Sequence, residues 1–432
     1  MPHGRNQHAD HETYRKFEQE GLLFDDPRSL SWAGQDWGRL VTRPPLAVLR
    51  PRTAEDVAAF ARFAAEQSCP LVPRAEGHSS AGQAQAAGGF VVDTRALDAV
   101  HEIGADRIVV GAGARWSRVL AETLPRGLTP PVLTDYLELS VGGTLSVGGI
   151  GGATQHHGLQ VDTVLSLDVV TPDGELVTCS ADQHADLFDN VRAGYGKYGI
   201  IVSATIRLIP AHTRARRYQL YYDDLSVFLA DQRRLLAAGC FDYLEGQVDL
   251  TDDGTNRYQL ELASFYSDQP PRRCADALAE LAYHRGSEEI EETTYFEFLD
   301  RLADAERMLR EAGLWDQCHP WLNLFLPDSQ AESIVAGAVK DLVPADIGEG
   351  GFILVYPFHA GKVTAPRLEL PDEPVVFLFA VDRESSCDDK ATTQRMLIAN
   401  ELIHDHATAA GATTYLGAPV AAAPGSQPPV LS

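Results

Sequence analysis

The chain has 432 residues, 44% of them hydrophobic, with 36 Gly and 25 Pro; this globular composition is too long for one ordinary hydrophobic core, so two domains are expected. Its net charge of −25, from 61 acidic against 36 basic side chains, speaks against a nucleic-acid partner, because phosphate backbones are gripped by concentrated Lys and Arg. Cys69, Cys179, Cys240, Cys274, Cys318 and Cys387 show no Cys-x-x-Cys spacing, which disfavours a structural zinc site or a dense disulfide framework and leaves a reduced interior as the expectation.

Residues 1–40 form a polar N-terminal segment in which His3, His8 and His11 are too loosely spaced for a metal site. No apolar stretch follows Met1 and no window approaches about 18 apolar residues, so the expectation is a cytoplasmic protein without a membrane span, ordered from near Ala47. Thr53 reads as an N-cap with Glu55 and Asp56 in the first turn, and Val57, Phe60, Ala61 and Ala64 recur at helical spacing. With strands at 47–50, 70–73 and 90–93 this is a β-α-β pattern. Arg74–Gln83, a loop of small residues carrying one histidine, His78, sits at a strand end, where α/β folds place ligands. Small side chains let backbone N–H groups approach an anion closely. It is not the Rossmann fingerprint, since no Gly-x-Gly-x-x-Gly opens a helix with an acid downstream.

A strand at 108–110 and a helix at 116–124 lead to a second glycine-rich stretch, 134–152, and two such loops suit one large phosphate-bearing cofactor. Strands at 164–170 and 175–179 flank Thr171-Pro172-Asp173-Gly174, strong turn chemistry for a hairpin. A helix around Leu187, Phe188 and Val191 and a β-branched strand at 199–208 follow, and a first domain closes at Pro210. From Arg217, strands near 241–250, 257–266, 319–326, 351–357 and 374–382 are interspersed with helices near 225–237, 272–283, 295–311, 329–342 and 389–408. That pattern predicts an antiparallel sheet covered by helices, suited to binding a substrate. The Ala/Pro-rich segment 421–429 is expected to be disordered. The adjacent His156 and His157 have no further ligand types close by and read as structural. No Gly-x-Ser-x-Gly elbow, His-Glu-x-x-His or Walker loop supports a hydrolase, zincin or P-loop reading.

The loop at 74–83, the segment 134–160 and the run from Asp168 to Ile201 resemble the flavin domain of the vanillyl-alcohol-oxidase-type (PCMH-type) FAD-linked oxidases, and are most similar to cytokinin dehydrogenases. Phe241-Asp242-Tyr243-Leu244-Glu245-Gly246, His319-Pro320-Trp321-Leu322-Asn323 and Leu354-Val355-Tyr356-Pro357 extend the resemblance across roughly residues 40–416. It implies an α+β, two-domain fold: an α/β FAD-binding domain at 41–210, a substrate-binding cap domain at 211–408, and a C-terminal segment at 409–432 that returns to the flavin domain. It implies an FAD-dependent oxidoreductase that moves a hydride from a C–H next to an amine to flavin N5, with oxygen or a quinone-like acceptor, a small-molecule substrate and no metal. Oxidation of an alcohol, sugar or specialised metabolite on the same fold, and a non-redox flavin-binding protein, are the alternatives.

Residue by residue, the resemblance makes His78 the covalent attachment point for FAD and Asp135, in Thr134-Asp135-Tyr136-Leu137, the catalytic base. Asp135 lies between Pro130-Pro131-Val132-Leu133-Thr134 and an apolar run leading into the second glycine loop, a setting that would partly bury it, where a carboxylate needs a partner. Cofactor contacts are expected at Arg74, Ala75, Glu76, Gly77, Ser79, Gln83, Ser140, Gly142, Gly143, Ser146, Ile150, Ile200 and Tyr415, and substrate contacts at Glu245, Trp321, Asn323 and Tyr356. Glu76 stands where relatives commonly carry a basic or small residue, and an acid beside a diphosphate must point away. No cysteine precedes Val141-Gly142-Gly143, so a second covalent link to the flavin is not expected. The resemblance stops near Tyr415-Leu416, short of the long return segment of relatives.

Overall fold

The computed structural model describes residues 11–269 and 272–416. Helix Ala54–Glu66 starts where Thr53 accepts a hydrogen bond from Asp56 N and the Asp56 carboxylate accepts from Thr53 N, so two orphan donors are satisfied reciprocally. Its Phe60 and Phe63 rings meet Phe90 at 5.1 and 5.9 Å. This contact seats the helix on a four-stranded sheet ordered 23–24, 47–49, 90–93, 71–74, whose last three strands run parallel.

Order begins earlier than the Ala47 expected from composition. Helix Glu12–Gln19 sends Tyr14 and Phe17 into the same core, Phe17 edge-on to Phe60 at 5.2 Å, and Leu23–Phe24 pairs antiparallel with Ala47–Leu49. Two aromatic residues on one face anchor a helix whose remaining residues are mostly polar, which is why composition alone conceals it.

The hairpin around Asp173-Gly174 belongs to a five-stranded antiparallel sheet ordered 100–103, 107–111, 200–207, 164–170, 176–180. Beyond it lies an eight-stranded sheet ordered 289–294, 214–222, 257–266, 243–249, 352–359, 375–382, 321–327, 413–416, antiparallel at each pairing. Helices Leu225–Ala238, Ala331–Val339 and Lys390–Ala409 pack on it. The architecture is therefore α+β, as expected. The edge strand Glu289–Thr294 was not foreseen, because Glu-Ile-Glu-Glu-Thr-Thr lacks an apolar pattern; it is held by cross-strand charge, with Arg217 and Glu291 3.8 Å apart. A charged edge also resists pairing with another chain. No helix among the described residues is long and apolar enough to cross a membrane.

Side-chain alternation gives the eight-stranded sheet two jobs. On the strand Tyr243–Asp249, Gly246 faces Phe228 and Gln232 of the covering helix, so Tyr243 and Glu245 point the other way, toward the first domain. Leu244 N donates to Gly152 O at 3.2 Å, fastening this strand to the end of the second glycine-rich stretch.

One cysteine pair corrects the expectation of a reduced interior. Cys318 and Cys387 form a disulfide with a Cα–Cα distance of 5.0 Å, set up by the reciprocal backbone hydrogen bonds of Cys318 and Ser385, both 2.9 Å. Spacing could not reveal it, since the partners are 69 residues apart. Cys387→Ser is expected to lower the unfolding free energy by about 2–4 kcal/mol, read as a drop in denaturant midpoint. Peptide mapping without reductant should recover the two cysteine peptides joined; separate peptides would show the bond is not made.

Candidate active site

The histidine loop leaves the strand Leu71–Arg74 and is shaped by its own glycine. Gly77 has φ +69°, and a Cβ there would lie 2.3 Å from the Arg74 guanidinium carbon. A segment that sequence reasoning missed, Asp36-Trp37-Gly38, holds the loop from behind. Trp37 N and Gly38 N donate to Gly77 O and Ser79 O, both at 2.9 Å, while Asp36 Oδ2 accepts from Gly82 N at 2.6 Å and Ser79 Oγ at 3.0 Å. Burial pushes the Asp36 carboxyl up against the lowering effect of these two bonds. The Trp37 ring is stacked between His78 at 4.2 Å and His319 at 3.5 Å, and His319 N donates to Gly38 O at 3.0 Å, so the same segment reaches the eight-stranded sheet. Burial, then His319 and Arg310, push the His78 imidazole down to about 3, which favours its neutral form.

Arg74 is buried and lines the cleft, yet its Nε and Nη1 have no hydrogen-bond partner. One face of its guanidinium lies 4.5 Å over Trp32, and desolvation lowers it to about 10, still charged. A buried cation with idle donors beside a loop of small residues fits the diphosphate of a dinucleotide cofactor. Glu76 is turned out of the way: Arg115 takes both its oxygens at 3.0 Å and also holds Glu138 at 2.7 Å.

The second glycine-rich stretch is a short helix rather than a plain loop. Ser140 caps Val141–Leu145 by accepting from Gly143 N at 3.2 Å. At Gly149, φ +76°, a Cβ would lie 2.1 Å from Gln160 Oε1, so a side chain is excluded there by the packing of Gln160, whose N donates to Gly149 O at 2.8 Å. Gly149 N donates to the Tyr415 hydroxyl at 3.1 Å, and Tyr195 OH donates to Tyr415 O at 2.5 Å. The last described strand thus reaches back to the first domain.

Most of the expected cofactor residues meet in one cleft. Arg74, Ala75, Glu76, Gly77, His78, Ser79 and Gln83 form one wall; Ser140, Gly142, Gly143, Ser146, Ile150 and Tyr415 form the other, and Trp321 and Asn323 close the end. Ile200 is the exception and is corrected: it lies 1% exposed in the apolar core, and by strand alternation its neighbour Ile201 lines the cleft. Asp135, Glu245 and Tyr356 are also not part of the wall; they gather beside it in a polar cluster. His156 lies elsewhere, its Nε2 2.6 Å from Phe241 O.

In that cluster Asp135 Oδ1 accepts from Tyr243 OH at 2.8 Å and Arg301 Nη2 at 2.7 Å, while Tyr243 OH is 2.5 Å from Glu245 Oε2. A phenol has one proton to give, so with two carboxyl groups on Tyr243 one of them must be an acid that donates. Burial, and then the charge of Asp135, raise Glu245 well above the ordinary carboxyl range, which favours its protonated form. Burial also raises the Tyr243 and Tyr356 phenols, which stay neutral.

The fold and the cleft define a protein shaped to hold a large phosphate-bearing cofactor, with a sheet-walled second domain. Residues 45–180 match the FAD binding domain family, and residues 251–419 match the family described as cytokinin dehydrogenase 1, FAD and cytokinin binding. The chain is 41% identical to an uncharacterised oxidoreductase of the fasciation locus of Rhodococcoides fascians, over 94% of this chain and 92% of that one. It is 36% identical to cytokinin dehydrogenase 7 of Oryza sativa subsp. japonica, over 88% and 80%. The solved structure of 6-hydroxy-D-nicotine oxidase from Arthrobacter nicotinovorans shares the fold, with TM-score 0.69, 22% identity and coverage of 91% and 87%. The chain belongs to the vanillyl-alcohol-oxidase-type FAD-linked oxidases, in the company of the cytokinin dehydrogenases, and is an FAD-dependent oxidoreductase.

Asn323 owes its orientation to a buried acid, donating from Nδ2 to Asp382 Oδ1 at 2.9 Å. Burial raises Asp382 well above the ordinary range, only partly opposed by that bond. A raised carboxyl favours the folded state below its unfolded value and loses that contribution as pH rises through the folded one. Asp382→Asn is therefore expected to melt higher than wild type by a margin that grows from pH 4 to pH 8; a pH-independent margin would contradict a protonated Asp382.

Proposed function

We propose that this enzyme oxidises a small amine of the cytokinin type, with FAD tethered through His78 and Asp135 as the base. One observation carries the reading: the Asp135 carboxylate is gripped at Oδ1 by Tyr243 and Arg301, while Oδ2 takes no part in those bonds and 21% of the side chain stays exposed. The similarity to enzymes named cytokinin dehydrogenases, and the match of residues 251–419, support the substrate class.

When bound, FAD supplies the two-electron acceptor. The chain's own residues do the rest. Arg74 meets the diphosphate, and the small-residue loops let backbone N–H groups close on it. Loss of hydride from a C–H beside nitrogen leaves a cation whose N–H proton Asp135 removes. Trp321 and Asn323, at the cleft's end, orient the substrate, with Glu245 and Tyr356 behind Asp135. In this division of labour the residues before about 210 hold the cofactor, and the eight-stranded sheet that begins at Arg214 builds the substrate side.

The purified protein is expected to be yellow and to carry its flavin into an acid precipitate, whereas His78→Ala should release it; flavin left wholly in the wild-type acid supernatant would remove the tether. Asp135→Asn should keep its flavin and slow anaerobic flavin reduction by isopentenyladenine roughly a hundredfold or more. Reduction at the wild-type rate in stopped flow would sink the assignment.

A further inference from the structure

Arg301, which no motif singles out, sits where helix Tyr295–Leu299 hands over to helix Leu302–Glu311. Its guanidinium is engaged in every direction. Nη1 donates to Phe298 O at 3.1 Å, Nε lies 3.0 Å from Glu261 Oε1, and Nη2 donates to both Asp135 Oδ1, at 2.7 Å, and the Tyr243 hydroxyl. The Tyr243 and Phe298 rings stand 4.8 and 4.6 Å from its central carbon. Glu245 lies farther off, 3.8 Å from Nη2, and Glu261 is shared with Arg217 at 2.6 Å. A planar fork held on its faces and at its nitrogens cannot swing, and neither can the carboxylate oxygen it grips.

We propose that Arg301 is a positioning residue for the oxidation: together with the Tyr243 hydroxyl it occupies Asp135 Oδ1, which leaves Oδ2 as the one atom of that carboxylate able to take the substrate proton. The inference rests on the reading of Asp135 as the base. Without Arg301 the carboxylate rotates and either oxygen meets Tyr243, so the accepting atom is no longer fixed relative to the cleft. Misplacement of a reacting group by an ångström costs up to about a hundredfold in rate. Binding is affected less, because in this arrangement Arg301 reaches the substrate only through Asp135.

The test uses the flavin-loaded full-length enzyme and anaerobic stopped-flow reduction by isopentenyladenine, resolved into a limiting rate and a half-saturating concentration. Arg301→Gln is expected to lower the limiting rate at least tenfold while moving the half-saturating concentration less than about twofold. Arg301→Lys, which restores charge but not the fork, should fall between Gln and wild type. Tyr243→Phe, which removes the other Oδ1 donor and no charge, should slow the same parameter, and these two variants decide the matter if Arg301→Gln does not fold. Wild-type limiting rates in both Arg301→Lys and Tyr243→Phe, or a loss confined to the half-saturating concentration, would overturn the proposal. If Asp135→Asn is slow while those variants are normal, only the role of Arg301 fails; if Asp135→Asn is itself normal, the base assignment fails and takes this inference with it.

Discussion

Three carboxyl groups and two guanidinium groups share one small, largely shielded volume, and the arrangement of the elements around Asp135 follows from their mutual satisfaction. Glu245 and Glu261 are direct partners across neighbouring strands, a placement that repels when both are ionised. Arg301 and Arg217 relieve it from two sides, and a proton on Glu245 relieves it further. Such a cluster is a weak source of stability, because desolvation offsets attraction at this depth. What it fixes is geometry. It ties a helix junction, three strands and the start of the second glycine-rich stretch to a common point.

The cofactor cleft obeys a different constraint, close backbone approach. Its loops are glycine-rich and have little internal reason to hold one shape, so their form comes from outside: Asp36, Trp37 and Gly38 behind the histidine loop, Tyr415 behind Gly149. The Arg115 pair with Glu76 and Glu138 belongs to the same scheme. Arg115 is 46% exposed and such pairs contribute about 0–1 kcal/mol in stability. Its effect is directional, drawing a negative charge away from the place where Arg74 waits for another.

The architecture was largely legible in the sequence because periodicity is a local signal: Thr53 with Asp56 announced a capped helix, and Asp173-Gly174 a hairpin. Of the cleft, the glycine loops and His78 could be read because small residues around one reactive side chain are unusual. Asp36, Trp37 and Arg301 could not, since each acts through partners far away in sequence, such as Ser79 for Asp36, Gly77 for Trp37 and Asp135 for Arg301, and none lies in a recognisable pattern. Ile200 shows the limit at single-residue scale. A strand's two faces differ by one position, and only the fold says which face meets the core. The acidic edge strand Glu289–Thr294 escaped for the opposite reason, its partners being charges rather than apolar neighbours.

The hydrogen bond from Gly149 to the Tyr415 hydroxyl spans 266 residues of sequence. The wall of the cleft that contains Gly149 leaves the ribosome early, and the phenol that braces it leaves among the last of the described residues. The native support of that wall is therefore complete only once Tyr415 has been synthesised. A nascent chain shorter than that carries the loops but not their brace.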